Sequence, residues 1–187
     1  MDILLDYLQS IHRMSDGLVD HLRGVVGLRV VGRKEYLLLA GEECENLYFI
    51  KSGLLRCYYL RGDTEVTSWM MKEGDTVVAV ESFYGKTKSY EFIHALEKTE
   101  VYYISRGELE DIFMRFPEFN YIGRVLTVKY LRFWAQQLYS IRMRSAREKY
   151  VYLMEENPDL LLRVPQKYIA SYLDMLPETL SRIKDFL

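Results

Sequence analysis

The spacing of hydrophobic positions changes character along the chain, and the changes divide it into elements. Between residues 3 and 26, Leu4, Leu5, Leu8 and Ile11 form one helical stripe and Leu18, Leu22 and Val25 a second, so two short amphipathic helices are predicted. Ser15 stands where the second helix needs an N-cap. From Leu28 to about Ser105 the period becomes that of strands, rich in β-branched and aromatic residues. Turn signals interrupt it at Gly41-Glu42, Ser52-Gly53, Arg61-Gly62-Asp63, Glu73-Gly74-Asp75 and Gly85-Lys86. Such punctuation predicts a compact β-barrel or β-roll, with a hairpin about Arg61-Gly62-Asp63 and His94 within a strand.

After Ser105 the helical period returns in a short segment ending near Phe116-Pro117. Pro117 is placed to open a helix from about Glu118 to Met143, roughly 39 Å long at ~1.5 Å per residue. That exceeds what a small barrel needs, and Leu131, Trp134, Leu138 and Ile141 fall in a 3-4 repeat suited to a partner helix. One long core helix in a monomer is the alternative. Ser145-Ala146-Arg147-Glu148 has the form of a capping box, so a new helix starts there and a hinge is expected near Arg144-Ser145. Tyr150, Val151, Leu153 and Met154 give this helix an apolar face, Asn157-Pro158 ends it, and Leu160 to Val164 reads as a short extended link or strand.

The last stretch carries the chemistry. Ile169, Ala170 and Leu173 face inward from one short helix, Leu180 and Ile183 from another, and only a tight turn separates them. Ala170 is small where two helices cross closely, and Asp174 occupies a turn position that favours left-handed backbone. Pro177-Glu178-Thr179 starts the second helix. This is the order of a helix-turn-helix, in which Glu178, Thr179, Ser181 and Arg182 form the polar set facing the major groove. A Glu accepts from cytosine N4 and an Arg donates two bonds to guanine, so Glu178 and Arg182, one turn apart, are suited to neighbouring base pairs. An i,i+4 surface ion pair on an ordinary helical hairpin is the alternative.

Charge, cysteines and histidines narrow the classes without deciding among them. The net charge is −2, and the stretch from Ser140 onward holds eight basic against seven acidic side chains, so no general phosphate affinity is implied. No apolar run approaches the roughly 20 residues of a membrane span, and the acidic start Met1-Asp2 is unlike a secretory signal; a cytoplasmic location is expected, with no membrane partner. Cys44 and Cys57 lack the spacing of a metal site and are read as free thiols. His12, His21 and His94 are far apart, so neither a metal nor an enzyme on a cupin-like roll is expected.

Gln166-Lys167-Tyr168-Ile169-Ala170-Ser171-Tyr172-Leu173 followed by Pro177-Glu178-Thr179-Leu180-Ser181-Arg182-Ile183 resembles the helix-turn-helix of the Crp/Fnr family of bacterial regulators, particularly its branch in Bacteroidetes-like bacteria. The strand region, with Gly41-Glu42, Leu47 to Gly53 and Gly74-Asp75, is similar to that family's cyclic-nucleotide-binding β-roll, and residues 117–143 to its dimerisation helix. The resemblance implies an α+β chain in three parts: a double-stranded β-roll (jelly roll) sensor with flanking helices over 1–116, a dimerisation helix over 117–144, and a winged-helix-like helix-turn-helix lacking a full wing over 145–187. It implies a homodimer that binds double-stranded DNA through Gln166, Lys167, Pro177, Glu178, Thr179, Ser181 and Arg182. Its seam would be formed by Ile122, Leu126, Leu131, Trp134, Leu138 and Ile141, and RNA polymerase would be a further partner. An effector would touch Val78, Ala79, Glu81, Ser82, Phe83, Lys88, Ser89 and Tyr90. No cofactor is implied.

The departures concern that effector. Val78-Ala79 stands where cyclic-AMP-binding members have Gly-Glu for the ribose, and Lys88-Ser89 or Ser89-Tyr90 where they have Arg-Ser or Arg-Thr for the phosphate. A lone Lys88 does not replace a planar guanidinium fork, so tight binding of cyclic AMP or cyclic GMP is not expected; another small molecule in the same cavity and a roll that only positions the dimer helix are the two alternatives. A small-molecule or protein-interaction module that does not read DNA is the competing function.

Overall fold

The computed structural model describes residues 1–186. Helices α1 (Asp2–Ile11) and α2 (Asp16–Val25) follow the two apolar stripes, and the Ser15 hydroxyl accepts the Leu18 N–H at 3.3 Å, fixing the start of α2. Eight strands follow: β1 (Gly27–Val31), β2 (Tyr36–Leu38), β3 (Asn46–Ser52), β4 (Leu55–Arg61), β5 (Thr64–Met71), β6 (Thr76–Val77), β7 (Phe92–Ala95) and β8 (Thr99–Ser105). A short helix α3 (Val80–Gly85) lies between β6 and β7.

The strands form two antiparallel four-stranded sheets, ordered β1-β8-β3-β6 and β2-β7-β4-β5. Apart from β4 and β5, consecutive strands thus lie in opposite sheets, the winding of a roll. The expected hairpin joins β4 to β5, with Gly62 at φ 61° and Arg61 opposite Thr64. Gly53, at φ 102°, turns β3 into β4 so closely under Thr99 that a Cβ would lie 2.6 Å from the Thr99 Cα.

Helix α4 (Arg106–Arg115) leads into α5 (Pro117–Met143), with Pro117 in its first turn. The two cross where Gly123 lets the Phe113 ring approach; a Cβ there would meet that ring at 2.5 Å. The N-terminal part of α5 closes the roll through Phe119 and Ile122. Ile122 is 0% exposed, so the expectation that it faces a partner is corrected: a heptad register alone does not tell a chain's own core from a second helix. Further along, Trp69 of β5 packs against Phe133 and Trp134, with ring centroids 4.2 and 4.9 Å away, while Leu131, Leu138 and Ile141 stay 65%, 54% and 45% exposed.

Helix α6 (Ala146–Glu156) starts with the capping box: Glu148 N–H donates to Ser145 Oγ, and Ser145 N–H donates to Glu148 Oε2 at 2.8 Å. The segment read as extended is instead mostly helical, α7 (Pro158–Arg163), and the reading is corrected. Pro158 sets the first-turn φ, and Leu160 alone is buried, so the Leu-Leu-Leu run is one helical turn that shows a single side inward. Helices α8 (Gln166–Tyr172) and α9 (Pro177–Asp185) follow.

Two apolar cores result. The first fills the roll and reaches α1, α2, α4 and the start of α5, with Leu18, Ile50, Ile93 and Ile112 among its fully enclosed members. The second joins Tyr150, Leu153, Leu160, Ile169, Ala170 and Leu180 to three residues of the roll, Leu54, Met70 and Leu96. At that junction α8 lies against β5, the outer strand of its sheet. The Thr67 N–H donates to Ser171 Oγ at 2.9 Å, and the same hydroxyl donates to the Glu65 carbonyl at 3.1 Å, so one side chain satisfies part of an open strand edge. Arg56, fully buried, bonds Thr67 and Glu65, and its guanidinium sits 3.7 Å from the Tyr168 ring centroid.

Candidate functional site

The C-terminal helix pair is built around its turn. Asp174 has φ 52°, the Met175 N–H donates to the Ala170 carbonyl at 3.0 Å, and the Asp174 N–H to that of Ser171 at 3.2 Å. That bond pattern is a Schellman motif with Asp where Gly is usual. It lets α8 stop and α9 start within a few residues while Ala170 and Leu180 close the crossing.

The turn leaves one side of α9 facing solvent. Pro177, Glu178, Ser181 and Arg182 are exposed, Thr179 is half-buried, and Gln166 and Lys167 lie exposed at the start of α8. No side chain caps α9, so its first-turn N–H groups remain available to an acceptor such as a phosphate. Among the described residues Glu178 and Arg182 form no ion pair within 4.0 Å, leaving both groups free for an outside partner.

Helix α7 ties this unit to the roll. Arg163 donates to Glu73 at 2.9 and 3.0 Å and to Glu97 at 2.8 and 3.0 Å, and Lys72 pairs with Asp159 at 2.6 Å. Hydrogen bonding from Arg163 holds the Glu73 carboxyl down at about 2.

The roll encloses a cavity of about 610 Å³ between the two sheets and α5. Of the residues expected to meet an effector, Val78, Glu81 and Tyr90 line it. The others are engaged elsewhere. Ala79 and Phe83 belong to the apolar core, and Ser82 accepts the Cys44 N–H and donates to the Thr87 carbonyl. Ser89 donates to the Glu91 carbonyl, and Lys88 lies exposed beside Glu43.

Glu91 was not singled out by the sequence, because only the turn after α3 brings it to the cavity wall. Its Oε1 accepts from Ser68 at 3.2 Å, Tyr59 also bonds it, and burial raises its carboxyl above the usual range. His21, Glu108 and Asp111 also converge, with ligating atoms within 4.8 Å of one another, although Asp111 already pairs with Arg115 at 2.9 Å. Cys44 and Cys57 are buried free thiols.

Residues 28–116 match the family model of the cyclic nucleotide-binding domain, which covers the whole roll from β1 to the end of α4. No curated protein gives a significant sequence match. Among solved structures the chain is similar to FixK2 from Bradyrhizobium japonicum at 21% identity, with a TM-score of 0.74 over 87% of this chain and 84% of that one. It is also similar to CLP of Xanthomonas campestris, described as a c-di-GMP-responsive global regulator, at 16% identity and a TM-score of 0.72, covering 91% and 90% of the two chains. The catabolite activator protein of Thermus thermophilus is 20% identical, with a TM-score of 0.59 over 97% of this chain and 86% of that one. The fold is therefore shared with these three proteins, with a cyclic nucleotide-binding-type roll at its front.

Proposed function

We propose that the protein is a homodimeric, sequence-specific DNA-binding transcription regulator of the Crp/Fnr type that its C-terminal motif resembles. The observation that carries this is the outward side of α9, where exposed Glu178 and Arg182 stand one turn apart behind an open helix N-terminus. Glu178 and Arg182 read base edges, while Gln166, Lys167, Thr179 and Ser181 position the helix on the backbone.

Leu126, Leu131, Trp134, Leu138 and Ile141 of α5 form the dimer seam, so that two copies of α9 reach successive major grooves about 34 Å apart on a two-fold symmetric site. The working units are 1–116, 117–144 and 145–187, with the hinge at Arg144-Ser145. A small molecule in the roll shifts the balance between arrangements of that hinge, RNA polymerase is a downstream partner, and the protein acts in the cytoplasm without catalytic activity.

Selection of wild type, Glu178→Ala and Arg182→Ala against random double-stranded DNA tests the reading. A two-fold symmetric motif that relaxes at defined positions in the two variants supports it. Enrichment unaffected by either variant would move base reading away from Glu178 and Arg182, and no enrichment with or without a roll ligand would leave a binding module that does not read DNA.

A further inference from the structure

The charged side chains that line the roll cavity are Glu81 and Glu91, and among the described residues no Lys, Arg or His joins them. Glu81 sits at the exposed rim, whereas Glu91 lies deeper, held by Ser68 and Tyr59 and without an ion-pair partner within 4.0 Å. Aromatic side chains from three elements line the same cavity: Tyr59 of β4, Trp69 of β5 and Trp134 of α5, with Tyr90 5.5 Å from Tyr59 between ring centroids.

These features select a ligand by charge. A phosphate or carboxylate entering the cavity would lose its water and meet two acidic side chains with no lining cation to compensate. A neutral apolar molecule would fill the space but leave Glu91 without a counter-ion. An organic cation satisfies both conditions, because its charge pairs with Glu91 while its body and the adjoining positive carbons lie against aromatic rings. A volume of about 610 Å³ holds a ligand well beyond a single ring.

We propose that the roll cavity is a receptor for aromatic or alkyl ammonium compounds, with Glu91 as the counter-ion and Tyr59, Trp69, Tyr90 and Trp134 as the surrounding cage. This names the effector class of the regulator proposed above, yet it concerns only the cavity between the roll and α5 and holds or fails without DNA.

Calorimetric titration of the full chain with naphthylethylammonium, naphthylethanol and naphthylacetate, and with cyclic AMP, tests it. The ammonium compound is expected to bind about tenfold more tightly than the alcohol, with naphthylacetate and cyclic AMP weaker still. Glu91→Gln should bring the ammonium down to the level of the alcohol, whereas Glu81→Gln at the rim should change the ratio little. Equal binding of ammonium and alcohol to wild type, tighter binding of the acetate or of cyclic AMP, absence of ammonium binding, or a preference that survives Glu91→Gln would each overturn the proposal. The wild-type comparison stands even if Glu91→Gln fails to fold, and a DNA selection that succeeds while these titrations fail would remove the cavity assignment only.

Discussion

Asp174 shows how much one backbone angle decides. Its left-handed conformation is what permits the two Schellman bonds, and Asp tolerates it better than most L-residues. Asp174→Val should therefore cost about 1–2 kcal/mol in a urea unfolding series, while Asp174→Gly should stay within about half of that. Glu73 carries a second expectation. Its carboxyl is held near 2 by Arg163, below the ordinary carboxylate value, so its contribution is fully present above about pH 4.5 and is lost as the pH falls towards 2. The acid side of the stability curve should be shallower for Glu73→Gln than for wild type, and a curve of unchanged slope would mean that the Arg163 contact contributes nothing in solution.

At the scale of elements, α5 serves two masters. Its first half belongs to the chain's own core through Phe119 and Ile122, and its second half exposes Leu131, Leu138 and Ile141. Leu138→Glu should shift the mass measured by light scattering from dimer to monomer with the helical signal retained; an unchanged mass would place the seam elsewhere. Elements set by neighbours in sequence were legible: the Ser15 cap, the Gly62-Asp63 turn, Pro117 in the first turn of α5 and the Ser145–Glu148 box all stand where the residues indicated. Elements decided by distant packing were not. Leu160 to Leu162 has neither helical nor strand period in three residues, and its state is settled by Pro158 and by Leu160 entering the second core. Ile122 satisfies either core equally well as a pattern. The polar face of α9 and Glu81 could be read from the sequence, but Glu91 in the cavity could not, since it follows the turn after α3 rather than the matched motif.

For the molecule as a whole, the shared second core matters most. Leu54, Met70 and Leu96 come from the roll, so the C-terminal helices complete their small apolar centre only against it. A fragment covering 145–187 is expected to lack cooperative unfolding in circular dichroism, and the full chain to lose its helical and aromatic signals at one common midpoint. Two separate midpoints would show that the junction at β5 is weaker than its hydrogen bonds and Arg56 stacking indicate. The packing of Trp69 against Trp134 has an optical consequence. These are the chain's two tryptophans, and their rings lie 4.9 Å apart across the seam between roll and long helix. Indoles so close share their excited states, giving the protein a native chromophore pair whose coupled band records, without any label, whether that helix still rests on the roll.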